Sequence, residues 1–219
     1  LYEQIEGKVA LYGPVQHLHH LEKAAEELEE RGIEPVIGEG DDRIKYPGQV
    51  LGCNYSVKVE DAVHHLYIGT GRFHPFGLSF SLRDDVKVYN PVTGELTEIG
   101  EEERDDFLRK RFGSITQVEG SERIMVMTST KKGQRRMKLA DEMRELGREA
   151  GKEIDVVKFD EIDPVLVDDF RWGCAVNTAC PRIALDDNEN FRTTILTPNE
   201  FKIALGEREW EDWEMDEIH

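Results

Sequence analysis

Three segments of this chain set reactive side chains beside residues that bend or bare the backbone. Tyr46-Pro-Gly-Gln-Val-Leu-Gly-Cys53 puts a cysteine in a glycine-flanked loop. Leu66-Tyr-Ile-Gly-Thr-Gly-Arg-Phe-His-Pro-Phe-Gly-Leu78 follows an apolar run with Gly69-Thr-Gly71, then Arg72, Phe73 and His74. Asn177-Thr-Ala-Cys-Pro-Arg182 carries a second cysteine, followed by a proline that has no amide hydrogen to continue a sheet. A thiolate is a nucleophile or a soft metal ligand, whereas an apolar run ending in Gly-x-Gly suits either a plain strand-to-helix turn or backbone approach to a ligand. Cys53 and Cys180 lie far apart in sequence, and two inert buried thiols are the ordinary alternative. Cys174 lies inside an apolar strand and is the natural inert thiol.

Other residues offer weaker chemistry. Thr128-Ser-Thr-Lys-Lys-Gly-Gln134 joins a predicted strand to a predicted helix. Its hydroxyls, amides, Lys131 and Lys132 suit a carboxylate or phosphate, or simply a solvated capping turn. The Gly-x-x-x-x-Gly-Lys-Ser/Thr spacing of a nucleotide P-loop is absent. His17, His19 and His20 could share a face, but no carboxylate is placed beside them, so a surface or capping role is expected over metal binding. Asp186 and Asp187 fit the close of a turn better than a cation site, and Trp210 and Trp213 should pin the acidic tail onto the body.

The elements that must position these residues follow from periodicity. Strands are predicted over Lys8 to Tyr12, Ile33 to Ile37, Leu66 to Ile68 and Val86 to Tyr89, with helices over Gln16 to Arg31 and Val59 to His65. Asn90-Pro-Val-Thr-Gly94 is a turn, and Glu101 to Val118 a charged connecting helix. The plan then repeats: strands over Ile124 to Met127, Ile154 to Phe159 and Cys174 to Asn177, and helices over Gln134 to Ala150 and Pro164 to Phe170. We expect an α/β protein of two similar units, 1–100 and 101–219, each a small four-stranded parallel sheet flanked by helices. Ligands in such sheets bind beyond the carboxyl ends of the strands, which is where all three segments fall.

Composition narrows the classes of function. The 219 residues are 38% hydrophobic, enough for packed cores, and 46 acidic against 28 basic residues leave a net charge of −18. That charge argues against direct nucleic-acid binding. No apolar run approaches the ~18 to 20 residues of a membrane helix, and Leu1 to Gly13 lacks the pattern of a signal peptide, so a cytoplasmic protein is expected. Three unevenly spaced cysteines do not form a disulfide framework. The first residue is Leu rather than Met, as in a processed chain or part of a longer one.

Taken together, the Cys53 segment, Ile68 to Leu78, Ser129 to Gln134, Val176 to Asp187 and Leu196-Thr-Pro-Asn-Glu-Phe-Lys-Ile-Ala-Leu-Gly-Glu-Arg-Glu-Trp210 resemble archaeal diphthamide biosynthesis enzymes. These are the 2-(3-amino-3-carboxypropyl)histidine synthases, a noncanonical radical S-adenosylmethionine family. The likeness runs over essentially the whole chain, with the five blocks in the family's order.

The resemblance implies a transferase with a 4Fe-4S cluster held by three cysteines, one from each of three similar domains. It also implies S-adenosylmethionine as co-substrate, a 3-amino-3-carboxypropyl radical, and a histidine of translation elongation factor 2 as acceptor. An electron donor and a homodimer belong to the same picture. Carried over by position, Cys53 and Cys180 are the ligands of the middle and last domains, and Cys174 matches none. We assign the S-adenosylmethionine pocket to Gly69, Gly71, Arg72, Phe73, His74, Ser129, Lys132, Gly133 and Gln134. His74 is expected to position rather than to initiate, and no residue is nominated as catalytic. The family's first domain, with the third cysteine, is expected before Leu1 or on a separate chain. A non-catalytic scaffold or cluster-free relative is the alternative, and a nucleotide-binding domain built on the Gly69 loop a more distant one.

Overall fold

The computed structural model describes residues 7–219, apart from the side chain of Glu119. In chain order the elements are β1 (Lys8–Tyr12), α1 (His19–Glu29), β2 (Glu34–Val36), β3 (His64–Ile68), α2 (Phe73–Leu82), β4 (Val86–Tyr89) and β5 (Leu96–Ile99). There follow α3 (Glu101–Glu119), β6 (Arg123–Ser129), α4 (Met137–Glu149), β7 (Glu153–Phe159), α5 (Pro164–Asp169), β8 (Cys174–Asn177), α6 (Arg182–Leu185), β9 (Thr194–Leu196) and α7 (Pro198–Ala204). The chain divides within α3 into a unit ending at Asp106, which also takes His219, and a unit of Phe107–Ile218.

The first unit's sheet has the order β2-β1-β3-β4-β5. Its first four strands are parallel, and β5 runs antiparallel at the edge. The expected sheet of four parallel strands therefore carries a fifth. Gly94, at φ +73°, donates its amide to the Asn90 carbonyl at 2.8 Å, which closes the turn and sends the chain back along β4. Val9 and Leu11 of β1 bury against Leu21, Ala24 and Leu28 of α1, the period-two face of a strand meeting the 3.6-residue stripe of a helix.

The predicted helix over Val59 to His65 does not form. The Val63 amide, which would make the first intrahelical bond, donates instead to the Lys8 carbonyl at 2.9 Å, and the Val59 amide donates to the Tyr12 hydroxyl at 3.1 Å, which ties the segment to β1. His64 and His65 join β3 instead. Conversely, Phe73 and His74 open a helix rather than lying in a loop. Pro75 is tolerated there because the first turn's amides have no intrahelical acceptor.

The second sheet has the order β7-β6-β8-β9, all parallel. Alternation along β6 feeds two cores: Ile124 and Val126 pack with Ala140, Met143 and Phe201, and Met125 and Met127 pack with Val167, Ala175 and Ala184. The helix predicted from Gln134 starts only at Met137. Strand β9 and α7, unforeseen, complete the unit. Thr197 and Glu200 form a reciprocal capping box at the start of α7.

Glu200 is fully buried and pairs with the buried Arg111, Nε to Oε1 at 2.7 Å. It also accepts the Trp213 indole N–H at 3.1 Å. Trp213 and Trp210 stack edge-on against Phe107 and Phe112, so the tail is pinned as the tryptophan spacing predicted. Among the described residues no helix is long and apolar enough to cross a membrane. The reading of Leu1 to Gly13 falls outside the described residues over positions 1–6.

Candidate functional site

In the first unit the sheet is prolonged past β1 by an irregular segment. The Gly13 amide donates to the Gly48 carbonyl at 3.0 Å and the Val50 amide to the Gly13 carbonyl at 2.9 Å. Residues 51–54 then make a tight turn, with mutual amide-to-carbonyl bonds between Leu51 and Asn54 of 3.2 and 3.3 Å. Cys53 is therefore held at the carboxyl end of the strands, half-buried.

Buried Asn54 anchors the turn from below. Its amide nitrogen donates to Asp41 Oδ2 at 2.8 Å, and its carbonyl oxygen accepts from the Ser56 hydroxyl at 2.7 Å. The Asp41 carboxyl is held down to about 2, first by that Asn54 donor and also by the ring of His219, 3.0 Å away.

The second segment meets this turn. A Cβ on Gly52 would come within 2.5 Å of the Phe73 ring and 3.7 Å of His74 Nε2, so glycine beside Cys53 admits the start of α2. Tyr55 completes the contact. Its hydroxyl donates to the Gly52 carbonyl at 3.2 Å and occupies the space where Gly77 has no side chain. The structure thus brings together Cys53, Phe73 and His74.

The remaining members of the glycine loop are less uniform than the sequence suggested. Gly69 is required by packing, since a Cβ there would lie 2.7 Å from Pro14, whereas exposed Gly71 has φ +78° and open space around it. Arg72 reaches Glu103 Oε2 at 2.6 Å, an ion pair whose two side chains are each more than a third exposed.

In the second unit, β6 and β8 end at the same edge, with Met127 opposite Asn177. The strand predicted over Cys174 to Asn177 forms, and Cys180 lies three residues past its end. The Thr178 amide and hydroxyl both donate to the Met127 carbonyl, at 2.8 and 2.9 Å. Asn177 then turns the chain, its Oδ1 accepting from the Ala179 amide at 3.1 Å and its Nδ2 donating to the Cys180 carbonyl at 2.8 Å.

Residues 131–134 form a turn, closed by the Gln134 amide donating to the Lys131 carbonyl at 3.1 Å, with Gly133 at φ +90°. Ser129 Oγ is already taken by the Lys131 amide at 3.0 Å, Lys132 is exposed and Gln134 half-buried. The loop does not lead directly into a helix start, so the anion site expected from helix amides is not formed in that way.

Burial separates the cysteines. All three are reduced thiols, Cys53 and Cys180 half-buried and Cys174 fully enclosed in β8. Burial pushes the Cys174 thiol up to about 12, so it stays protonated at neutral pH and is unsuited as a ligand. Cys53 and Cys180, by contrast, are not sealed in a core. Among the described residues no group of three or more His, Cys, Asp or Glu side chains could hold a metal ion. His17, His19 and His20 stack instead, with neighbouring ring centroids 5.8 and 4.0 Å apart. Asp186 and Asp187 face Arg182, at 2.8 and 3.7 Å.

Asp41, Asn54 and Asn177 were not assigned from the sequence. Only Asn177, three residues before Cys180, carried a local signal, that of an Asx turn.

The family model of diphthamide synthesis proteins matches residues 1–214. The chain belongs to this family. It is 39% identical over 211 residues to the 2-(3-amino-3-carboxypropyl)histidine synthase of Pyrococcus horikoshii, covering 96% of this chain and 60% of that protein. Against the protein of the same description from Methanocaldococcus jannaschii it is 37% identical, covering 73% of this chain and 46% of that one. The structure is similar to that of Dph2 from Pyrococcus horikoshii with a 4Fe-4S cluster, at a TM-score of 0.89 and 39% identity, over 96% of this chain and 61% of that one. The chain thus spans about three fifths of the length of the Pyrococcus protein.

Proposed function

We propose that this diphthamide synthesis family member forms part of a 2-(3-amino-3-carboxypropyl)histidine synthase. In this reading it helps transfer the aminocarboxypropyl group of S-adenosylmethionine to a histidine of translation elongation factor 2, the first step of diphthamide formation. The observation that carries the reading is the treatment of the three thiols. Each unit holds one half-buried cysteine on a dedicated turn past its strands, while Cys174 is sealed in the core.

A 4Fe-4S cluster held by Cys53, Cys180 and a third thiol from outside these residues would supply the one electron that breaks the sulfonium's bond to the aminocarboxypropyl carbon, leaving methylthioadenosine as the thioether and the group as a radical. The chain's own residues bind and orient. Gly71 leaves the backbone open to close approach, Phe73 and His74 form a wall beside the Cys53 turn, and Gly69 serves that wall only through its packing on Pro14. The Arg72 guanidinium would share its donors between Glu103 and a substrate carboxylate. Ser129, Lys132, Gly133 and Gln134 offer polar contacts at the second edge. Addition of a radical to an imidazole carbon needs positioning and exclusion of water rather than an enzyme nucleophile, so no residue is given a catalytic role. The expected partners are elongation factor 2, an electron donor, a second copy of the chain and the domain or chain with the third cysteine, in the cytoplasm.

The test is anaerobic purification with iron and sulfide analysis, the third-cysteine domain of the relatives being supplied. Cys53→Ala and Cys180→Ala should each lose the cluster and Cys174→Ala should keep it. A colourless wild-type protein under those conditions would sink the reading and favour a non-catalytic scaffold.

A further inference from the structure

Between the end of β8 and Cys180 the backbone offers two carbonyls that no neighbouring strand uses. Both are taken by one side chain: Arg136 Nε donates to the Thr178 carbonyl at 3.0 Å and Nη2 to the Ala179 carbonyl at 2.9 Å. The rest of the guanidinium faces the end of the chain. Nη1 and Nη2 donate to Asp216 Oδ1 and Oδ2, both at 2.6 Å, and Nη1 reaches the Glu217 carbonyl at 3.5 Å.

All five N–H groups of Arg136 are therefore committed, two to the Cys180 loop and three to the tail. The Arg136 side chain is 13% exposed and that of Asp216 6%. A fork with this geometry holds two segments in a fixed mutual orientation, which a lysine ammonium, with three donors around a point, cannot reproduce.

We propose that Arg136 is a positioning residue for the Cys180 thiol and that Asp216, from the last residues of the chain, orients it. The role as a device of the active centre rests on the reading of Cys180 as a ligand. The clamp itself does not. Arg136 also directly precedes α4 and lies two residues beyond Gln134, so one side chain links the loop assigned to substrate with the loop assigned to the cluster. The Asn177 side chain, Thr178 and the carbonyls of Thr178, Ala179 and Cys180 are all bonded, so the loop that presents the thiol is held along its length.

The experiment measures iodoacetamide alkylation of each cysteine in the folded chain, resolved by peptide mass spectrometry, for wild type, Arg136→Met, Arg136→Lys and Asp216→Asn. Arg136→Met should raise the Cys180 rate about tenfold by freeing the loop, while the Cys53 rate stays within about twofold. Arg136→Lys should restore part of the protection, and Asp216→Asn should fall between wild type and Arg136→Met. An unchanged Cys180 rate in folded Arg136→Met, or equal acceleration of Cys53, would overturn the proposal. Should Arg136→Met not fold, Asp216→Asn decides on the same two criteria. Iron content of the reconstituted wild type separates the two readings. Accelerated Cys180 in a chain whose wild type takes up no iron upholds the clamp and removes the cluster, whereas a cluster-loaded wild type with unaltered Cys180 kinetics in the variants does the reverse.

Discussion

Asp41 shows how a residue outside every recognised motif acts on one inside. Its carboxylate accepts from Asn54, which forms the last position of the Cys53 turn, and from the ring of His219. A carboxyl depressed to about 2 binds its proton less readily in the folded than in the unfolded chain. Its stabilisation is therefore full above the ordinary value near 4 and fades as pH falls through about 4 to about 2. Wild type should exceed Asp41→Asn in stability at pH 7 by on the order of 1 kcal/mol, after allowance for solvent screening. Denaturant titrations at pH 7, 5 and 3 should show the gap closing at the lowest pH, and a gap independent of pH would contradict the assignment. The same scale separates the thiols: Cys174 and Cys180 are near in sequence, yet only the first is shut in a strand.

Among the elements, α2 matters most to the site because it docks on the Cys53 turn through missing side chains. Gly77 faces the Tyr55 hydroxyl so closely that an added Cβ would overlap it, and Tyr55 in turn holds the Gly52 carbonyl. Gly77→Ala should therefore cost about 1 to 3 kcal/mol by overpacking, despite alanine's better helix propensity. Gly113→Ala in α3 is the control, since nothing lies within 4 Å of its added Cβ, and it should be neutral or stabilising by up to about 1 kcal/mol. Urea melts of the two variants check the contrast. Equal effects would mean that the Tyr55 contact does not constrain α2.

On the scale of the whole molecule the dominant quantity is charge. A formal net charge of −18 over 219 residues makes the folded state repel itself at low ionic strength, and salt screens that repulsion. Raising ionic strength from ~0.01 to ~0.15 M should lift the Tm by a few degrees in scanning calorimetry. A falling Tm would show that local ion pairs such as Arg72–Glu103 outweigh the general repulsion.

Local pattern alone determined the strands Lys8–Tyr12, Val86–Tyr89 and Cys174–Asn177, because burial on a sheet imposes short apolar runs or period-two alternation. Glycine and proline also placed Cys53 and Cys180 in turns, but their reading as ligands came from the resemblance to the family and not from local pattern. Tertiary structure decided the rest. The Val59 to His65 segment has the composition of a helix, but the Lys8 carbonyl, distant in sequence, claims the Val63 amide that would make its first intrahelical bond. Gly69 and Gly71 look alike in sequence, and only the fold separates the one pressed on Pro14 from the open one at φ +78°. Arg136 and Asp216 lie 80 residues apart, and neither interrupts its local pattern. A side chain whose donors serve a distant loop carries no periodic mark, so its role becomes visible only when the fold closes that distance.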